Sequence, residues 1–439
     1  MKVVVVAEFY PRHDDPVLGI WAHRQALAAR AAGVEVQVLV LHRLVPPRAA
    51  WAQGPAGAAR SLGGLLGQPH REDRDGLPVT YVRYASPSRA RAYASWGAWA
   101  APALALALRR LRRRFPFDAI HAHNAVPAGD AVRRAGLDVP VLVSVHGGDV
   151  LYTAPRLPGG REAVAHGLGA ARLVLANSRG IAELALQAGA GETRVVHLGA
   201  DVPGGAAPRP ATRSPSGAAA PAAGAPAPAP RSGPGPPAAR SEAPAIVTVG
   251  HLVARKRHAD VLRALAVLAP RHPTLRYVIV GDGPERIPLE GLAARLGVAE
   301  RVEICGQLAP AAALERMRRC TLFAMPSTEE AVGVAYIEAM AAGLPAIGCR
   351  GEPGPEEIAA AGDGFLLVPP GDIERLSQRI EELLGDPQRL REASRRARRT
   401  VAEQFTWERC GAQTAAAYAD AVESGRPQTQ ADPAAASAR

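Results

Sequence analysis

Short apolar runs rich in β-branched residues recur along the chain, and they constrain its fold more than any other feature. The first, residues 2–9 (KVVVVAEF), lacks the alternation of a half-exposed strand, as expected of a parallel strand covered on both faces. A helix-compatible stretch and a second apolar run, VEVQVLVL, follow it. This order predicts a strand, a crossover helix and a second parallel strand.

The same alternation recurs in two blocks. The further strand candidates are FDAIHAHN, VPVLVSVH, ARLVLANS and TRVVHLGAD in the first block, and AIVTVG, LRYVIVGDG, VEICG, TLFAMPS, PAIGCR and GFLLVPP in the second. We therefore predict an α/β fold with two doubly wound, Rossmann-like domains, residues 1–202 and 244–405. Because open parallel sheets bind ligands at the carboxyl ends of their strands, a substrate is expected in the cleft between the domains.

Three further segments complete the predicted organisation. Residues 203–243 contain nothing apolar larger than Ala apart from proline, so we predict a disordered linker that cannot bury enough surface to fold. Residues 406–424 predict a C-terminal helix that could dock on either domain. Residues 425–439 predict a disordered tail.

Composition narrows the class of protein. The net charge is +11, but the excess is nearly all Arg, and aromatic residues make up only 4% of the chain, too few for base-stacking platforms. We therefore predict no nucleic-acid partner. The widely spaced cysteines predict reduced thiols, the amino terminus lacks a signal-peptide pattern, and no apolar segment reaches the roughly 20 residues of a membrane span. A cytoplasmic location is expected.

One segment leaves a membrane contact open. Residues 95–115 (SWGAWAAPALALALRRLRRRF) combine an apolar, Trp-bearing stretch with five arginines, and Pro102 interrupts them. They predict either a core helix with a solvated basic end or an element at a membrane surface. The second alternative would suit a lipid-linked acceptor at the inner face of the cell membrane.

A basic motif follows the first strand of the second block. In VGHLVARKRH, Gly250 lets a ligand approach the backbone, and Arg255, Lys256 and Arg257 supply cations that could bind a diphosphate. A solvated basic loop is the alternative interpretation. The nearby IVGDGPER lacks the third glycine of a dinucleotide fingerprint and is weak evidence by itself.

Two carboxylates flank a predicted helix start in STEEAVGVAYIEAMAAGLPAIG. The N–H groups and dipole near Gly333, Val334 and Ala335 would attract phosphate. On a continuous helix the α-carbons of Glu330 and Glu338 would lie about 12 Å apart, which does not naturally fit the roughly 5 to 9.5 Å between the carboxyl groups of a glycosidase pair. We therefore interpret them as acceptors for sugar hydroxyls, with two ordinary exposed glutamates as the alternative.

Together these motifs resemble the retaining GT-B glycosyltransferases of family 4, the group 1 nucleotide-sugar transferases. The resemblance spans nearly the whole chain apart from the linker and tail, and it also includes VEICGQL, NSRG, VVHLGAD and DGFLLVPPGD. GIWAHRQA and CRGEPGPEEI are similar to members that build teichuronic-acid-type and other cell-surface polysaccharides. The resemblance implies transfer from a nucleoside diphosphate sugar to a saccharide or lipid-linked acceptor, with retention and without a metal or cofactor.

The resemblance also implies roles in the second domain. Glu338 would bind the ribose hydroxyls and Glu330 the donor sugar near its 3-position. Lys256 and the amides around Gly333, Val334 and Ala335 would hold the diphosphate. Gly250 would lie beside it, and the loop of Gly306, Gln307 and Leu308 would lie against the base. The family usually has Arg where this chain has His251, so whether His251, Arg255 or neither supplies a second phosphate cation stays open.

In the first domain the resemblance implies a histidine that faces the reacting sugar, at His146 in VSVHGGDV. His146, Glu330 and Lys256 are therefore the candidate catalytic residues. Asp149 would orient His146 or meet the acceptor, and Gly19 would be a point of backbone approach to the donor. The HAHN motif places two histidines on one face of a strand, but no third ligand is apparent, and we predict no metal site.

Two other functions are compatible with the same scaffold. One is a nucleotide-sugar epimerase. The other is a non-catalytic protein that binds sugar or nucleic acid, whose binding to nucleic acid would weaken strongly with salt.

Overall fold

The structure is a computed structural model, and it describes residues 1–13, 15–202 and 243–424. The predicted linker, apart from Ala243, and the predicted tail lie outside the described residues.

The N-terminal domain is built on an eight-stranded sheet. Its strands are β1 (Lys2–Ala7), β2 (Glu35–Arg43), β3 (Arg71–Arg74), β4 (Leu77–Tyr84), β5 (Ala119–His123), β6 (Val141–Val145), β7 (Leu173–Ala176) and β8 (Thr193–Val195). Their spatial order is β3-β4-β2-β1-β5-β6-β7-β8. Neighbouring strands are parallel except β3 and β4, which form an antiparallel hairpin that the sequence patterns did not predict.

Helices cover both faces of this sheet. They are α1 (Ile20–Ala31), α2 (Arg48–Ala52), α3 (Gly54–Gly67), α4 (Arg89–Ala92), α5 (Trp96–Arg114), α6 (Asp130–Ala135), α7 (Ala154–Arg156), α8 (Gly160–Gly169) and α9 (Arg179–Gln187). Val4 and Val6 of β1 belong to one hydrophobic cluster, and Val3 and Val5 belong to another. Burial on both faces explains why β1 is apolar without alternation.

The C-terminal domain has a six-stranded parallel sheet, in the order β11-β10-β9-β12-β13-β14. The strands are β9 (Ala245–Val249), β10 (Arg276–Val280), β11 (Val302–Ile304), β12 (Leu322–Ala324), β13 (Ala346–Cys349) and β14 (Phe365–Val368). Its helices are α10 (His258–Leu268), α11 (Arg286–Arg295), α12 (Pro310–Arg318), α13 (Val334–Ala341), α14 (Pro353–Ala361), α15 (Ile373–Leu384) and α16 (Pro387–Gln404). The prediction of two Rossmann-like α/β domains is thus confirmed.

The last helix, α17 (Trp407–Ser424), returns to the N-terminal domain. It packs along α1, and Cys410 and Tyr418 are part of the N-terminal core. The two segments that cross between the domains run side by side, since Ala200 N–H donates to the Phe405 carbonyl at 2.9 Å. This packing decides between the two docking alternatives for the C-terminal helix.

Helix α5 lies within residues 95–115, for which the sequence predicts either a core helix or an element at a membrane surface. Its buried face consists of Trp96, Gly97, Ala100, Ala101, Leu104, Leu108 and Leu111, and the arginines at its end are exposed. It is therefore a core helix with a solvated basic end. Within the described residues, no helix is long and apolar enough to cross a membrane. Contact of this segment with a membrane surface stays a prediction.

All four cysteines are free. Cys320, Cys349 and Cys410 are buried, and Cys305 is half-buried. This is the state that their spacing predicted.

Gly411 tests how closely α17 packs on α1. A Cβ on Gly411 would lie 2.2 Å from the carbonyl oxygen of Ala28, so Gly411→Ala must push the two helices apart. Overpacking of this kind costs about 1–3 kcal/mol. We expect the free energy of unfolding to fall by that amount in urea denaturation followed by circular dichroism.

Gly63→Ala in α3 is the matched control, because nothing lies within 4 Å of its added Cβ. There a helical alanine should stabilise the protein by about 0.5–1 kcal/mol. Equal stability of the two variants would contradict the close packing of α17.

Candidate active site

A buried carboxylate, Glu330, lies at the centre of the candidate site. Its Oε2 accepts hydrogen bonds from Lys256 Nζ at 2.5 Å and from Ser327 Oγ at 2.9 Å. Burial by itself would raise the pKa of Glu330, but the charges of Lys256 and Arg255 and the two hydrogen bonds outweigh it and hold the pKa below its ordinary value. Glu330 is therefore ionised at neutral pH.

The backbone of Glu330 is fixed as well as its side chain. Its N–H donates to Glu352 Oε2 at 2.8 Å, and its carbonyl accepts from Gly354 N–H at 3.0 Å. No motif in the sequence indicated that Glu352 is part of the site. Glu352 lies just beyond the carboxyl end of the buried strand β13. Because ligands bind at this end of parallel strands, that position could have indicated a site residue.

Helix α13 begins immediately after Gly333. This glycine is left-handed, with φ 73°, and a Cβ would lie 2.3 Å from the Tyr336 ring, so a larger residue does not fit. The turn closes with a hydrogen bond of 2.8 Å from Tyr336 N–H to the Gly333 carbonyl. The N–H groups of Val334 and Ala335 lie in the first turn of the helix, before this bond. Backbone N–H groups in the first turn have no acceptor within the helix. Phosphate binding at these groups stays a prediction.

Glu338 lies on α13, whereas Glu330 precedes the helix, so the two carboxylates do not share a continuous helix. Burial raises the pKa of Glu338 to about 7; the charge of Arg24 opposes this rise and that of Asp201 adds to it. Arg24 and Asp201 form an ion pair with each other. Among the described residues, none hydrogen-bonds the Glu338 carboxylate, which can therefore accept bonds from ligand hydroxyls.

The loops after β9, β10 and β11 are joined by backbone hydrogen bonds. Gly250 N–H donates to the Val280 carbonyl and Gly281 N–H to the Gly306 carbonyl, both at 2.9 Å. A Cβ on Gly281 would lie 2.0 Å from the Gly250 carbonyl oxygen, so this glycine serves the packing of the loops. Gln307 is exposed beside them, and Leu308 packs on the domain core.

The two candidates for a second phosphate cation differ in position. The Arg255 guanidinium lies 4.0 Å from Glu330 Oε2 and stacks on Tyr152 of the N-terminal domain at 5.1 Å. His251 is exposed, and its side chain bonds to no described residue. Arg255 is therefore better placed than His251 to act beside Lys256.

His146 lies at the end of β6 and is paired with a second histidine. Its Nε2 is 2.9 Å from His123 Nδ1, and the two rings stack with centroids 5.1 Å apart. Burial lowers the pKa of His146 to about 4 and holds the pKa of His123 well below its ordinary value. Both rings are neutral at pH 7, so one of the two bonded nitrogens carries the proton of the His123–His146 hydrogen bond and the other accepts it.

The HAHN motif has a structural explanation. His121 and His123 lie on one side of β5 with ring centroids 4.4 Å apart. His121 bonds Tyr418 OH and Ser144 Oγ, each at 2.7 Å, which occupies both of its ring nitrogens. No group of three or more side chains suited to a metal occurs in residues 1–13, 15–202 and 243–424. A metal-free site stays a prediction.

The loop that carries His146 touches the loop that carries Glu330. A Cβ on Gly147, which has φ 94°, would lie 2.2 Å from the Cβ of Ala331, so the contact requires glycine. Ser178 Oγ donates to the Ala331 carbonyl at 3.0 Å. The two domains therefore meet at the candidate site, where the N-terminal domain contributes His146 and the C-terminal domain contributes Glu330 and Lys256.

Two predicted residues of the N-terminal domain have mainly internal contacts. Gly19 is left-handed, and a Cβ would lie 2.1 Å from the Phe9 carbonyl oxygen, so it lets the β1–α1 loop fold on itself. Asp149 is 2% exposed, and its oxygens accept from Tyr93 OH at 2.9 Å and Ala125 N–H at 2.7 Å. This geometry favours a role for Asp149 in holding loops in place over direct contact with an acceptor.

Two family models match the chain. Glycosyltransferase Family 4 matches residues 18–202, and Glycosyl transferases group 1 matches residues 235–400. The chain is 29% identical over 355 residues to 2-deoxystreptamine glucosyltransferase from Streptomyces kanamyceticus, which covers 78% of this chain and 88% of that protein. It is 38% identical over 154 residues to an exopolysaccharide phosphotransferase from Streptomyces coelicolor, but this match covers 35% of the chain and only 16% of that protein.

A solved structure shares the whole architecture. The HepE protein of Anabaena, in complex with UDP-glucose, superposes with a TM-score of 0.64 at 18% identity. The superposition covers 96% of this chain and 100% of that chain. It establishes the arrangement of the two domains as a GT-B fold.

The raised pKa of the half-buried Glu338 predicts a pH-dependent stability. The folded protein keeps its proton up to about pH 7, whereas the unfolded chain releases it near pH 4.5, so stability falls as pH rises between these values. Glu338→Gln removes this effect and should be more stable than the wild type by about 1–3 kcal/mol at about pH 8, with no gain at about pH 4.5. Urea denaturation at both pH values measures the difference.

The matched control is Glu300→Gln, at an exposed position, where no such difference is expected. A Glu338→Gln protein whose stability tracks the wild type at both pH values would contradict the burial of this carboxyl.

Proposed function

We propose that this chain, which matches the Glycosyltransferase Family 4 and Glycosyl transferases group 1 models and has the GT-B fold, transfers a sugar from a nucleoside diphosphate donor to an acceptor hydroxyl with retention of the anomeric configuration. The observation that carries this proposal is the contact of Lys256 with the ionised Glu330 beside the start of α13. A cation, helix N–H groups and a carboxylate together match the charges of a sugar diphosphate.

The donor lies with its diphosphate at the N–H groups of Val334 and Ala335. One of the three N–H groups of Lys256 donates to Glu330, and the other two donate to phosphate. Arg255 is the second cation. Glu330 accepts from the sugar hydroxyls near the 3-position. Glu338 accepts from the ribose, and the loop of Gly306 to Leu308 borders the base.

Electrostatic stabilisation of the leaving diphosphate is the main catalytic effect. The bond from the anomeric carbon to the phosphate oxygen breaks, and the bond to the acceptor oxygen forms on the same face. The acceptor proton passes to a diphosphate oxygen, so no separate base is required. His146, as a neutral imidazole, hydrogen-bonds the 6-hydroxyl of the sugar. Lys256, Arg255 and the helix amides neutralise the phosphate charge without a metal.

The acceptor belongs to a cell-surface polysaccharide or glycolipid. This part of the proposal rests on the motifs shared with enzymes that build such polymers. It places the protein in the cytoplasm, and at the inner face of the cell membrane when the acceptor is linked to lipid.

Turnover of nucleotide sugars tests the proposal. We expect one of UDP-, GDP- or ADP-sugars to yield free nucleoside diphosphate in the presence of an acceptor extract, and the matching nucleotide to raise the melting temperature. Lys256→Ala should lower kcat/KM by about 10²–10³-fold, as loss of a charged group at the leaving phosphate does. At about pH 8, where the Glu338 carboxyl is ionised, Glu338→Gln should weaken nucleotide binding about tenfold, because a neutral acceptor replaces a charged one.

Arg391→Gln, an exposed arginine of α16, is the control for Lys256→Ala and should leave turnover unchanged. Proton NMR of the product reads its anomeric configuration. An inverted product would contradict retention, and an isomerised donor without release of nucleoside diphosphate would indicate an epimerase. No melting shift with any nucleotide would contradict the donor site itself.

A further inference from the structure

A cavity of about 600 Å³ opens in the N-terminal domain beside the candidate active site. None of its lining residues has a role in the donor site proposed above. One wall is apolar and is formed by Val45, Pro47, Trp51 and Leu157. Asp, Glu, Asn and Gln are missing from the described residues that line it. Because these side chains are the usual acceptors for sugar hydroxyls, the cavity is poorly suited to a bare saccharide.

Three arginines supply the charge of the cavity: Arg43, Arg89 and Arg156. Arg43 bonds Ser86 Oγ at 2.9 Å and the carbonyls of Ser86 and Pro87 at 3.1 and 3.0 Å. These partners are neutral, so the charge of Arg43 is not cancelled by a bonded carboxylate.

Arg89 and Arg156 contribute from the other sides of the cavity. Arg89 lies over the rings of Phe9, Tyr93 and Trp96 at 5.2–5.7 Å. Arg156 is 62% exposed and pairs with Glu329 of the C-terminal domain. Two of the three guanidinium groups thus bond no carboxylate in the described structure, and the cavity attracts anions.

Two carboxyl groups, Glu8 and Asp149, interact with Arg89 through space and moderate its charge. Glu8 also interacts with Arg43 in this way. Burial raises the pKa of Glu8 to about 7, so it is only partly ionised at neutral pH, and Asp149 is satisfied by Tyr93 and Ala125. Neither lines the cavity, so the surface that a ligand meets is cationic and apolar.

The cavity lies next to the reacting groups. Tyr152 lines it and carries Arg255 on its ring at 5.1 Å, and Arg255 lies 4.0 Å from Glu330. A ligand that contacts Tyr152 would therefore place the end nearest to Tyr152 close to the proposed donor sugar.

Exposed apolar side chains occur on helix α2, which helps to line the cavity, and on α3, which packs against α2. Trp51 is 59% exposed, and the next helix, α3, exposes Leu62 and Leu66, which share a face because they are four residues apart. Exposed large apolar side chains on these two neighbouring helices suit an apolar ligand.

We propose that this cavity binds the acceptor, and that the acceptor is a lipid with a phosphate group beside its hydrophobic chain. The arginines bind the phosphate, Trp51 and its apolar neighbours hold the first part of the chain, and the accepting hydroxyl points past Tyr152. This inference rests on the proposed glycosyl transfer and names its substrate class.

Calorimetric titration of the full chain with farnesyl phosphate tests the inference, with farnesol and inorganic phosphate as separate probes. Farnesyl phosphate should bind at least about tenfold more tightly than either, since only it engages both the cations and the apolar wall. Trp51→Ala should weaken its binding about tenfold through the lost aromatic surface. Arg156→Gln should weaken it at least about threefold through the lost charge.

Two matched variants serve as controls. Trp99→Ala removes a comparably exposed tryptophan of α5 that does not line the cavity, and Arg391→Gln removes a distant exposed arginine. Both should bind farnesyl phosphate as the wild type does. Equal affinity for farnesol, equal affinity for phosphate, or equal losses in Trp51→Ala and Trp99→Ala would each overturn the inference.

The melting shift with a nucleoside diphosphate is measured on the same proteins. If the nucleotide stabilises them while farnesyl phosphate fails to bind, this inference is wrong and the donor site stands. If neither ligand binds, the proposed glycosyl transfer is wrong, and the inference that rests on it is wrong as well.

Discussion

The hydrogen-bonded ion pair between Lys256 and Glu330 organises the candidate site. An ionised carboxylate is costly to bury unless it is paired, and Glu330 is buried with a lysine, a serine and a backbone bond to Glu352 around it. These bonds hold the loop that leads into α13. They also hold the cation beside the helix start, so the groups suited to phosphate and to a sugar hydroxyl are positioned before any ligand arrives.

Contact between the domains completes this arrangement. Two residues of the N-terminal domain contact Ala331, which follows Glu330 directly. Gly147 packs against its Cβ, and Ser178 Oγ donates to its carbonyl. Helix α17 leaves the C-terminal domain and becomes part of the N-terminal core. The same domain–domain contact brings His146 of the N-terminal domain to the candidate site. Its neutral ring, paired with His123, suits a hydrogen-bonding role better than a charged one.

The sequence predicted the two parallel sheets because strands buried on both faces are continuous apolar runs, as in β1. It did not predict the β3–β4 hairpin, since β3 is REDR, which is entirely charged, and β4 contains Pro78. It located Glu330, Lys256 and the start of α13 through motif spacing. It could not show that Glu352 binds the Glu330 backbone or that His123 pairs with His146, because hydrogen bonds between distant residues depend on strand register and rotamers.

A crystal structure of the full chain with a bound nucleoside diphosphate tests the central claim most directly. We expect the terminal phosphate within hydrogen-bond distance of Lys256 Nζ and of the N–H groups of Val334 and Ala335, with the ribose hydroxyls on Glu338. A nucleotide bound elsewhere, for example at Gly281 and Gly283, with no phosphate at Lys256 or at the start of α13, would contradict it.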